Sequence, residues 1–97
     1  MKKFVLMTIG FIPPTEEIMA QWMEWFESLQ DIMVDQVGLY NGRDVVGDDV
    51  VELDMGKDAI TGYLVINAKG MDEAVAIAKR CPAVTSTKVY EVMSHEG

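Results

Sequence analysis

Two stretches of this chain, residues 4–12 (FVLMTIGFI) and 60–68 (ITGYLVINA), are apolar at nearly every position. A strand with one wet face alternates apolar and polar residues with a period of two, so an unbroken apolar run reads as a strand covered on both faces. Two such strands in a chain of 97 residues belong at the centre of one sheet. Both sides of that sheet then need a cover, and the rest of the sequence must supply it or leave it to a second molecule.

The remaining elements follow from periodicity and punctuation. Residues 2–12 form the first strand, stopped by Pro13 and Pro14. Thr15 offers a hydroxyl N-cap, and Glu16 and Glu17 place carboxylates in a first turn, where the helix dipole favours them. Ile18, Trp22, Trp25, Phe26, Leu29, Ile32 and Met33 then recur at three- and four-residue spacing, with Glu17, Gln21, Glu24, Glu27, Ser28 and Asp31 opposite, which predicts an amphipathic helix reaching Met33 and a helical region closing at Gly38. Asn41-Gly42, Gly47-Asp48 and Gly56 punctuate a turn-rich segment around Val45-Val46 and Val50-Val51, read as one strand or a ragged hairpin. After the second central strand, Gly70 to Arg80 reads as a short helix with acids in its first turn and cations in its last, and Pro82 forbids its continuation. Residues 85–93 alternate and make a closing strand with one wetter face; Ser94 to Gly97 is a tail.

Two βαβ-like halves with right-handed crossovers give an α+β fold, a ferredoxin-like antiparallel sheet with two helices on one face. The helices shelter one side only. A second copy of the chain is the simplest cover for the other, so the expected assembly is a homodimer packed through its sheet faces as a dimeric α+β barrel. The eight methionines suit an adaptable apolar interior.

Composition excludes several functions. Sixteen Asp and Glu against eight Lys and Arg give a net charge of -8, which repels phosphate backbones and anionic lipid; neither nucleic acid nor a membrane is expected as a partner. No apolar run approaches the roughly 18–20 residues that span a bilayer. The apolar start is read as a strand and not a signal peptide, because Thr8 and Gly10 interrupt it and Pro13-Pro14 replaces a cleavage site. The single cysteine, Cys81, allows no disulfide within the chain and fits a reducing compartment, so a cytoplasmic location is expected. The glycines form no nucleotide-binding pattern, and no cofactor is expected.

Few residues carry chemistry. His95 is the only imidazole and sits in the tail. Cys81 follows Lys79-Arg80 at a helix C-terminus, where cations and dipole act in opposite directions, and reads as a packing thiol. Asp44, Asp48, Asp49, Glu52, Asp54 and Asp58 place six carboxylates in fifteen residues, but their spacing fits no calcium loop and a solvated run that discourages edge pairing is expected, with no metal. The remaining candidate is aromatic. Trp22, Trp25 and Phe26 share the inner side of the first helix, and Tyr63 on a central strand is placed to approach them across the layer. Such a patch either packs as core or lines a cleft for a flat or apolar small organic molecule, with Tyr63, Tyr40 or Arg43 giving the polar contacts.

From Gly62-Tyr63 onward the chain resembles a known family. Met71-Asp72-Glu73-Ala74-Val75, Ala78-Lys79-Arg80-Cys81-Pro82 and Val89-Tyr90-Glu91-Val92 look like the second half of YCII-related proteins of the dimeric α+β barrel superfamily. Trp22-Met23-Glu24-Trp25-Phe26 and Leu29 are similar to the tryptophan-bearing helix of its DGPF branch. The resemblance implies a homodimer with a cleft between the sheet and the first helix, and a generally unassigned enzymatic role. It does not carry over a catalytic pair: some members are thought to use a His on the first helix with an Asp, and here Trp22 takes that place. The Asp-Gly-Pro-Phe segment is also missing, with Asp54-Met55-Gly56-Lys57-Asp58 roughly where it would fall. If the cleft hosts a reaction, Tyr63 or Asp54 would have to move the proton. The contrasting reading is a non-enzymatic scaffold whose acidic hairpin meets a basic partner.

Overall fold

A computed structural model describes residues 1–93. The tail with His95 lies outside the described residues. In chain order the elements are β1 (Lys2–Ile9), α1 (Glu16–Ser28), β2 (Met33–Gly38), β3 (Arg43–Val46), β4 (Asp49–Glu52), β5 (Ile60–Ala68), α2 (Met71–Lys79) and β6 (Ser86–Glu91). Four strands form one antiparallel sheet in the order β2-β5-β1-β6, and β3-β4 form a separate two-stranded sheet. This is the ferredoxin-like α+β layer, with the two apolar runs as its central pair.

Strand alternation divides the sheet into two faces. Phe4 pairs with Ile66, Leu6 with Leu64 and Thr8 with Gly62, and these residues are buried on the helix side. Phe4, Leu6, Leu64, Ile66 and Ala68 join Trp25 and Leu29, and Ala74 and Ile77 of α2, in one core. The opposite parity holds Val5, Met7, Tyr63, Val65 and Val37, all half-buried in the single chain. Apolar side chains thus occupy both faces of the central strands, as the unbroken runs require. The molecule is a plate of 43 × 39 × 18 Å. Its radius of gyration of 14.7 Å exceeds the roughly 12–13 Å of a compact chain this long.

Three boundaries differ from those the sequence predicts. β1 stops at Ile9 because Gly10 turns into a left-handed conformation, φ 104°. A side chain at Gly10 would put its Cβ 2.7 Å from the backbone nitrogen of Thr85, so this turn out of the sheet requires glycine. α1 begins as expected, with the Thr15 hydroxyl accepting from Ile18 N at 3.2 Å, but ends at Ser28 with Leu29 as C-cap. Ile32 and Met33 follow a turn, and residues 33–38 are an edge strand instead of helix. The turn-rich segment resolves into the hairpin β3-β4, with Val45 opposite Val50 and all eight strand residues exposed. The segments at 60–68 and 71–79 match the sequence reading closely.

Side-chain size sets the distance between the layers. α2 is rich in alanine and packs closely on β1, β5 and β6, whereas every α1 Cα stays more than 8 Å from the strand Cα atoms. Trp22, Trp25 and Phe26 fill part of that gap. Strand β2 approaches β5 tightly at Gly62, where an added Cβ would lie 2.7 Å from the Val37 carbonyl oxygen; one at its partner Gly38 would meet nothing within 4 Å. Gly62→Ala should therefore cost about 1–3 kcal/mol in a urea titration, as overpacked sites do, while Gly38→Ala stays within about 0.5 kcal/mol of the parent.

Candidate functional site

Where α1 stands away from the sheet, a cleft of about 300 Å³ opens between one stripe of the helix and the ends of β1, β2 and β5. Trp22, Phe26 and Ile18 border it from the helix, Thr8, Thr61, Gly62 and Leu64 from the sheet, and Phe11, Ile12, Pro14 and Val84 at its mouth. The Phe11 amide donates to the Gly56 carbonyl at 2.9 Å and the Gly10 amide to Ala59 at 2.7 Å, tying the segment after β1 to the loop before β5. The Thr85 hydroxyl donates to the Lys57 carbonyl in the same corner.

The three aromatic residues do different work. Trp25 is 5% exposed and donates its indole N–H to the Ile77 carbonyl at 3.2 Å, so it belongs to the core and joins α1 to α2. Trp22 and Phe26 are only partly buried; their rings lie 5.6 Å apart at 34° and form the aromatic side of the cleft. Trp22 also meets Trp25 edge-on, 5.8 Å apart at 81°. The patch is therefore both alternatives at once: core at Trp25, cleft wall at Trp22 and Phe26.

Of the other sequence candidates, Tyr63 alone is among the residues bordering the cleft. Tyr63 belongs to the strand bordering the cleft, but its register with Met7 and Val37 sets its ring on the far face of the sheet, so the expected approach to Trp22 across the layer is corrected. Tyr40 is 82% exposed and borders a different, open depression of about 780 Å³ with Met7, Leu53, Met55, Asp54 and Ile60, between the far face and the base of the hairpin. Arg43 lies on β3, where its Nη1 donates to Asn41 Oδ1 at 3.0 Å and to the Gly42 carbonyl at 2.9 Å, and its Nη2 lies 3.7 Å from Glu52 Oε1. Neither reaches the cleft. Sequence reasoning missed Thr8, Thr61 and Gln36, its polar members.

Thr61 owes its position to a bulge. Thr8 pairs with Gly62 and Ile9 with Ile60, leaving Thr61 as the extra residue. Its hydroxyl meets the Thr8 hydroxyl at 2.8 Å and reaches the Thr8 carbonyl at 3.2 Å. No Asp, Glu, Lys, Arg or Cys borders the cleft among the described residues, so its chemistry is that of hydroxyls, an amide and aromatic rings. Among the described residues no three His, Cys, Asp or Glu side chains converge to hold a metal ion, and no helix is long and apolar enough to cross a membrane.

Cys81 packs partly against the core. Burial pushes its thiol up from the usual 9.0, against smaller opposing contributions from hydrogen bonds with Thr87 and Ala83. The fold thus favours the neutral thiol, and stability conferred by that preference is lost as the pH rises above the ordinary thiol value. Iodoacetamide at pH 8 should alkylate Cys81 several-fold more slowly in the folded protein than in urea; equal rates would contradict this burial. Trp25→Phe, which removes the donor to Ile77, should destabilise the chain by about 1–3 kcal/mol by chemical denaturation.

The fold has a counterpart among solved structures. 5-Chloro-2-hydroxyhydroquinone dehydrochlorinase (TftG) from Burkholderia phenoliruptrix, in complex with 2,5-dihydroxybenzoquinone, superposes with a TM-score of 0.57 over 94% of this chain and 93% of that one, at 16% identity. No protein-family model matches the chain, and no curated protein does. At that identity the likeness speaks for the fold alone, a small α+β chain with two helices on an antiparallel sheet.

Proposed function

We propose that this chain acts as a homodimer of the YCII-related type, packed through its sheet faces, and binds a small organic molecule between the sheet and α1. The observation that carries the reading is the cleft of about 300 Å³ with Trp22 and Phe26 on one side and Thr8, Thr61 and Gln36 on the other. It has the mix usual for small-molecule sites, apolar walls with a few placed polar groups, at the small end of their range. The neighbour with the same fold is an enzyme seen with a single-ring quinone, which supports a ring-sized ligand here.

Dimerisation is supported by the far face. Val5, Met7, Val37 and Val65 are half-exposed there, Tyr90 is 59% exposed, and a patch of this kind on a plate-shaped molecule marks an interaction surface. A sheet-to-sheet pair with twofold symmetry covers both copies at once. Sedimentation at micromolar concentration should give a dimer, and Val65→Glu should convert it to a folded monomer; a monomeric parent protein would overturn the assembly.

Binding is read through tryptophan fluorescence. Titration with a panel of small aromatic and lactone-like compounds, 2,5-dihydroxybenzoquinone included, should perturb the emission, with Trp22→Phe abolishing most of the response and the buried Trp25 retaining its own. Silence across the panel would favour the non-enzymatic scaffold. That second reading draws on one observation: β3 and β4 form an isolated, fully exposed hairpin carrying Asp44, Asp48, Asp49 and Glu52, suited to meeting a basic partner. A reaction in the cleft would depend on groups that the ligand itself brings, because Asp54 borders the other depression and the Tyr63 ring stands on the far face.

A further inference from the structure

The polar edge of the cleft is an unusual pair. Thr8 is 5% exposed, and its hydroxyl lies 2.8 Å from the Thr61 hydroxyl and 3.3 Å from the Gly62 carbonyl oxygen. Thr61 Oγ1 lies 3.2 Å from the Thr8 carbonyl oxygen. Each hydroxyl has one proton and two lone pairs, and two placements of the protons use the 2.8 Å contact between the hydroxyls while keeping both protons within the protein. Either Thr61 donates to the Thr8 carbonyl and Thr8 donates to Thr61, or Thr61 donates to Thr8 and Thr8 donates to the Gly62 carbonyl. In both arrangements the two protons are used within the protein, while lone pairs remain on both hydroxyl oxygens. A ligand reaching this pair meets acceptors, not donors.

Charge narrows the choice further. The chain carries a net charge of -8, and no Lys or Arg borders the cleft among the described residues, so an anion entering the cleft would lose hydration with no cation to compensate. Resting on the small-molecule reading above, we infer that the cleft selects a neutral hydroxylated ring of the phenol class, whose O–H donates to the Thr8–Thr61 pair while the ring lies against Trp22 and Phe26. The volume of about 300 Å³ admits one ring with small substituents. The Gln36 amide, which offers both a donor and an acceptor, stands at the same cleft for a second substituent.

The test compares phenol with its methyl ether, anisole, by calorimetry on the full chain. The two share the ring and its oxygen, and anisole carries a methyl group where phenol has the donating proton; the variants at Thr61 separate loss of the hydrogen bond from the bulk of that methyl. Phenol should bind about tenfold more tightly, because anisole has no proton to offer the lone pairs that the Thr8–Thr61 pair leaves free. Thr61→Val, close in shape, should bring the two affinities together, while Thr61→Ser keeps the difference. With 4-nitrophenol, a phenol that ionises near neutrality, binding should weaken as the pH rises and the phenolate forms. Equal affinities for phenol and anisole in the parent protein would overturn the acceptor assignment and leave the binding cleft standing. Phenolate binding as well as the phenol would also overturn it. If neither ring binds, the cleft reading falls with it.

Discussion

The pairing of β1 with β5 is the interaction on which the rest of the molecule depends. Both strands lie at the centre of the sheet and carry apolar residues at both parities. Pairing them therefore creates two apolar surfaces at once: Phe4, Leu6, Leu64 and Ile66 towards the helices, Val5, Met7, Tyr63 and Val65 away from them. The first surface is closed by the chain's own helices and makes the core. The second is left half-covered, and the flat shape of the molecule follows from it. The segment between β2 and β5 does not lie over it as a further layer of this sheet but forms the separate β3-β4 hairpin.

On the covered side, the two helices differ in what they present to the sheet. α2 offers Ala74, Ala78 and Ile77 and comes in close; α1 offers two tryptophans and a phenylalanine and is held away. Large rings at the end nearer the core fill the wider gap through Trp25, anchored on the Ile77 carbonyl. On the neighbouring stripe of α1, Ile18, Trp22 and Phe26 border it, and the gap remains partly open. The cleft is thus a product of uneven side-chain volume between two helices lying on one sheet, and Gly62, which tolerates no side chain against Val37, keeps its floor flat.

Much of this was legible in the sequence, for reasons that particular residues show. Unbroken apolar runs located the central strands, Thr15 and Pro82 bounded the helices, and the surplus of apolar strand surface over helix pointed to an uncovered face. β2 escaped because Ile32 and Met33 continue the three- and four-residue spacing of α1, so periodicity alone extends the helix through a turn that the Leu29 cap creates. Tyr63 was placed on the wrong side because face assignment in a run apolar at both parities depends on register, which only the pairing with Met7 and Val37 fixes. Thr61 gave no signal at all: a threonine inside a strand is ordinary, and the bulge that turns it onto Thr8 is a property of two strands together.

The hairpin's charges bear on how far association can proceed. Its valines, 57–64% exposed, sit on a pair of free strand edges, the arrangement from which proteins polymerise by adding strand to strand. Asp44, Asp48 and Asp49 stand along and at the tip of those edges, so each further molecule joining edgewise would bring like charges into register. Open-ended growth into fibres is thereby opposed, while a closed twofold contact remains available.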